Sequence, residues 1–83
     1  MTQREIRDQV LRHFYDNRKT SSTIQGHSIA EATGIEYGDV IEACLYWDGK
    51  QFIDGRYTQP QNKSPYYIGR ITSEGIDHVE DGA

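Results

Sequence analysis

Between Gly26 and Trp47, two short segments with helical periodicity are separated by only a few residues around Gly34. The first opens on Ser28-Ile29-Ala30-Glu31, a hydroxyl three residues before a carboxylate, which is the pattern of a capping box. Gly34 suits the left-handed conformation that closes such a helix. The second segment starts at Glu36 or Tyr37 and runs to Trp47, with Val40, Ile41, Cys44 and Leu45 on its inner side. Helices joined by three or four residues cross steeply, and a large side chain in place of Ala30 would push them apart.

The flanking residues complete an order of α, β, α, α, β, β, α. Thr2-Gln3-Arg4-Glu5 is another capping box, opening a helix over about residues 3–17. Ile6, Val10, Leu11 and Phe14 line its inner side, with Arg4, Arg7, Asp8 and Arg12 mostly outward. Thr23-Ile24-Gln25 is long enough for one short strand. Residues 51–71 read as a hairpin around the loop Pro60 to Pro65, because two prolines cannot continue a ladder. Gly55 and Gly69 inside its strands point to bulges or strong twist. Thr72 or Ser73 then caps a last helix over residues 73–80 that carries Ile76 and Val79. In a chain of 83 residues this is one domain of α+β class, mainly helical, with a core that draws on six Tyr, two Phe and one Trp.

Ala30, Gly34, Ile35, Val40 and Ala43 occupy the places of the small, turn and anchoring residues of a helix-turn-helix, here spanning 26–47. The ending Tyr67-Ile68-Gly69-Arg70-Ile71-Thr72-Ser73-Glu74-Gly75-Ile76 has the aromatic strand and the Ile-Thr-x-x-Gly spacing that close many winged-helix regulators. Over residues 4–80 the chain resembles the winged helix-turn-helix family, and it is similar to the small PadR- and MarR-like transcriptional regulators of bacteria and archaea. The resemblance implies a three-helix core, a wing at 51–71, binding of double-stranded DNA and a cytoplasmic location. It also implies a homodimer formed through terminal helices, for which Leu11 and Tyr15 of the first helix are candidates.

Charge is distributed against the usual use of that fold. Residues 26–48 carry five acids and no Lys or Arg, whereas residues 49–71 carry four basic side chains against Asp54 alone. The outward positions of the third helix are Glu36, Tyr37, Asp39, Glu42 and Tyr46, which lack the Arg, Lys, Asn and Gln that read bases. Three carboxylates there would repel a polyanion. Lys50, Arg56, Lys63 and Arg70, interleaved with Tyr57 and Tyr66, make the wing the expected DNA contact. The other reading is a protein-interaction module in which Glu36, Tyr37, Asp39, Glu42 and Tyr46 meet a basic protein partner.

Other chemistries find no footing. His13, His27, His78 and the single Cys44 have no metal-ligand spacing. No glycine-rich phosphate loop, catalytic pair, cofactor motif or membrane-length apolar run is present. The expectation is a non-enzymatic domain without metal or cofactor.

Overall fold

The computed structural model describes residues 1–82. Within them the order is α1 (Gln3–Asp16), β1 (Ile24–Gln25), α2 (Gly26–Thr33), α3 (Tyr37–Gly49), β2 (Ile53–Thr58), β3 (Tyr66–Ile71) and α4 (Ser73–Gly82). The three strands form one antiparallel sheet in the order β1-β3-β2, packed on the helices. This is an α+β domain, mainly helical.

The capping box of α1 forms as its sequence dictates. The Glu5 amide donates to Thr2 Oγ1 (3.2 Å) and the Thr2 amide donates back to Glu5 Oε1 (3.0 Å). Ile6, Val10, Leu11 and Phe14 are buried. Leu11 therefore belongs to the domain's own core. Tyr15 is also engaged internally, its hydroxyl donating to Glu80 Oε2 of α4 at 2.7 Å.

The start of α2 differs from its sequence signature. The helix begins at Gly26, two residues before Ser28, and its N-cap Gln25 makes no side-chain cap. Tertiary packing explains the difference. Gln25 is held extended by its pairing with Ile68, and Gly26 turns directly into the helix beneath α3. A Cβ at Gly26 would lie 3.1 Å from Ile41 Cδ1, so the missing side chain lets α2 start early and close to its neighbour. At the other end Gly34 has φ +75° and donates its amide to the Ala30 carbonyl at 2.9 Å.

Helix α3 runs two residues past Trp47 and buries Val40, Ile41, Ala43, Cys44 and Trp47. Leu45, expected inside, is 41% exposed. At about 100° per residue it falls beyond the arc centred on Val40, Cys44 and Trp47. Trp47 closes the gap between α3 and α1, donating Nε1–H to the Arg7 carbonyl at 2.7 Å.

The hairpin contains no bulge. Pairing is continuous from Ile53↔Ile71 to Thr58↔Tyr66, with Gly55 directly opposite Gly69. The two glycines instead clear a floor for the Tyr67 ring. A Cβ on Gly69 would stand 2.8 Å from Tyr67 Cε1, and one on Gly55 would stand 2.6 Å from the Tyr67 hydroxyl. Tyr67 is wholly buried, and its hydroxyl donates to Asp48 Oδ2 of α3 at 2.7 Å. Burial, reinforced by the Asp48 carboxylate, pushes this phenol far above its ordinary range.

The Ile71-Thr72-x-x-Gly75 segment is a joint. Thr72 Oγ1 accepts from the Gly75 amide (3.1 Å), capping α4, and donates to the Gln51 carbonyl (2.7 Å). The Thr72 amide donates to the Phe52 carbonyl (3.0 Å). Gly75 rests on that same carbonyl so closely that a Cβ would overlap it.

Removing the Tyr67 hydroxyl leaves Asp48 without its buried donor. Tyr67→Phe is expected to lower the urea-unfolding free energy by about 1–2 kcal/mol. Tyr57→Phe, at an exposed hydroxyl on Gln59, should change it by less than about 0.5 kcal/mol.

Candidate nucleic-acid interface

Side chains alternate across a strand, so the register sorts the hairpin into two faces. Asp54, Arg56 and Thr58 of β2 share the outer face with Tyr66, Ile68 and Arg70 of β3, and Gln25 of β1 extends it opposite Ile68. Ile53, Tyr57, Tyr67 and Ile71 lie on the inner face with the glycine pair. Arg56, Tyr66 and Arg70, three of the six expected wing residues, are thereby placed on one exposed surface. The two arginines stand diagonally on that face, two rungs apart across the Gly55–Gly69 rung, Arg56 opposite Ile68 and Arg70 opposite Asp54.

Lys63 joins this surface from the loop. With Tyr66, Thr58, Gln25 and His27 it lines an open hollow of about 590 Å³ between the start of α2 and the hairpin. Gln25 and His27 were not legible as site residues. Their only signal is position, immediately before and after the Gly26 turn, and their nearness to the hairpin comes from the β1–β3 pairing. The other two wing residues lie apart. Lys50 follows α3 at the hairpin's base, its ammonium 5.6 Å from the Tyr46 ring. Tyr57 is on the inner side of β2, where its hydroxyl donates to Gln59 Oε1 at 3.2 Å.

No carboxylate among the described residues is bonded to these cations. Among the described residues the ion pair is Arg12–Asp16, on α1. Although Arg70 stands opposite Asp54 in the ladder, the two charges do not close into a pair.

Helix α3 presents a different surface. Gly38, Glu42, Leu45, Tyr46 and Gly49 are exposed, Asp39 is half-buried, and Glu36 precedes the helix as its exposed N-cap. The five residues expected to form one acidic, aromatic patch do not act together. The Tyr37 ring stacks on His27 at 4.1 Å, and its hydroxyl donates to the Pro65 carbonyl at 2.5 Å, which ties α3 to the hairpin loop. Burial raises the Tyr37 phenol pKa. Tyr46 turns toward α1, with the Arg7 guanidinium 4.3 Å above its ring. Glu36, Asp39 and Glu42 have no Lys or Arg beside them on the helix itself.

His78 and Cys44 are engaged in packing within the domain. His78 packs on Phe52, ring centroids 4.7 Å apart, and near Trp47. Cys44 lies in the core, where burial first and Asp48 second push its thiol up to about 12. Among the described residues, no three His, Cys, Asp or Glu side chains gather as a metal site, and no helix is long and apolar enough to cross a membrane.

Comparison with protein-family models, with curated proteins and with solved structures returned no match in any of the three.

The Cys44 environment has a direct consequence. In native protein at pH 8 the thiol should resist a disulfide exchange reagent for as long as the fold holds, and it should react at once in denaturant. Rapid labelling of the native chain would contradict its burial.

Proposed function

We propose that this chain is a winged helix-turn-helix domain that binds double-stranded DNA through the outer face of its β2–β3 hairpin, and that it serves transcriptional regulation. The observation that carries the reading is the placement of Arg56 and Arg70 as diagonal neighbours on one exposed sheet face, unpaired among the described residues and flanked by Tyr66 and Lys63. Cations without carboxylate partners are free to neutralise phosphates and release counterions. Tyr66 and Gln25 add hydrogen-bonding groups beside them. The winged-helix assignment is supported by the element order and by the tie between Tyr37 and the hairpin loop, which keeps hairpin and α3 side by side. Contact through α3 is disfavoured, since Glu36, Asp39 and Glu42 would face the phosphates with no base on the helix to offset them.

A second reading has its own observation. Leu45 is exposed beside Glu42, on the solvent side of α3. An apolar anchor next to an acid suits docking of a basic protein partner.

Fluorescence anisotropy of a labelled duplex across a salt series separates the two. Wing binding should weaken steeply with salt, the logarithmic slope changing by about 0.9 for each phosphate contacted. Arg56→Glu with Arg70→Glu should abolish binding, as should Arg56→Glu with Lys63→Glu, while Glu42→Gln should leave it unchanged or tighter. Absence of binding at low salt, or binding unaffected by these pairs, would overturn the DNA reading in favour of the protein partner.

A further inference from the structure

One long edge of the sheet has no partner. In the order β1-β3-β2, strand β2 pairs with β3 on one side only, and Asp54, Gly55, Arg56 and Tyr57 are all exposed along it. An edge strand offers alternate N–H and C=O groups to any strand that fits, and proteins normally blunt it with proline, charged side chains or a bulge. β2 has neither proline nor bulge: its six residues are Ile-Asp-Gly-Arg-Tyr-Thr in unbroken register. Its two charges are opposite in sign and two residues apart on the same face.

We propose that β2 pairs antiparallel with β2 of a second copy about a two-fold axis at Gly55, joining two three-stranded sheets into one of six strands. The register follows from the charges. Residues directly opposite in an antiparallel ladder share a face, so a two-fold pairing must centre on a residue that meets its own copy. Centring on Asp54 or Arg56 brings like charges together at the axis. Centring on Gly55 sets Asp54 opposite the partner's Arg56, and Arg56 opposite the partner's Asp54, on the outer face; in the dimer Arg56 gains a carboxylate, and Arg70 and Lys63 remain the free cations of that face. On the inner face the exposed Tyr57 stands in register with the partner's Ile53, whose side chain is already buried in its own core. At the axis Gly55 faces its copy with no side chain to obstruct the approach. The strand is thus self-complementary in the register centred on Gly55: two opposite-charge pairs and a bare centre. Leu11 and Tyr15 are spent within the domain, so this interface is distinct from pairing through α1.

Sedimentation equilibrium of the full chain without DNA, from micromolar to millimolar concentration at low salt, tests the proposal independently of the DNA reading. Wild type should show a monomer–dimer equilibrium. Asp54→Arg sets Arg against Arg, and Arg56→Asp sets Asp against Asp; each should weaken self-association by about tenfold or more. An equimolar mixture of the two variants should restore the dimer as a heterodimer, because one strand then carries two cations and the other two anions. The double variant Asp54→Arg/Arg56→Asp should dimerise like wild type, a result that misfolding cannot imitate. A wild-type chain that stays monomeric at the highest concentration overturns the interface. So do single variants that associate like wild type, or a mixture and a double variant that both fail to recover.

Discussion

The Tyr67 ring, laid across two facing glycines and hydrogen-bonded to Asp48, is the contact on which the arrangement of this domain turns. A buried phenol requires a partner, and the Asp48 carboxylate in the last turn of α3 supplies one. The ring fits only because neither Gly55 nor Gly69 projects a side chain into its space. That single contact sets how close the sheet lies to α3 and at what height along the helix the hairpin begins. Thr72 and Gly75 then carry the chain from the same sheet onto α4 with no slack, through paired bonds to the Gln51 and Phe52 carbonyls. The last three elements are therefore placed by a few small residues and three polar contacts acting with the apolar packing of Ile53, Tyr67, Ile71 and Val79.

Charge follows the elements. The acids of α3 face solvent on one side of the molecule, while Arg56, Arg70 and Lys63 gather on and beside the outer sheet face. The net charge of −4 is a poor guide to binding here, because what matters is the local sign over roughly a Debye length of 8–10 Å. Our functional proposal places the polyanion on the hairpin for this reason, and the acidic helix narrows the ways a duplex could approach.

Much of the fold was legible in the residues. The Thr2 capping box, the left-handed Gly34, the hairpin with its proline-flanked loop and the Thr72 cap of the last helix each rest on local chemistry that acts wherever the chain is placed. What was not legible depended on contacts between distant segments. Ser28 has a capping pattern, yet Gln25 pairs with Ile68 and the helix begins earlier, since long-range pairing outweighs one local cap. Gly55 and Gly69 read as bulges because a sequence does not reveal that a tyrosine from the same hairpin will lie over them. Half of the candidate wing residues came together for an equally simple reason. Strand register sends Arg56, Tyr66 and Arg70 to one face and Tyr57 to the other, and Gly55, Gly69 and the long loop obscured that alternation. Leu45 and Cys44 are neighbours in sequence and both apolar, but one step around the helix separates solvent from core.

The hairpin is fastened to α3 at both ends: Tyr67 reaches Asp48 near the helix C-terminus, and Tyr37 near its N-terminus reaches the Pro65 carbonyl beside the loop. Two struts to one rod make the pair a single stiff plate instead of a body with a waving arm. A ligand settling on the outer sheet face meets a surface whose backbone entropy was already surrendered during folding. Its selectivity must then come from matching a fixed spacing of charges, because the plate has little freedom to mould itself to a guest.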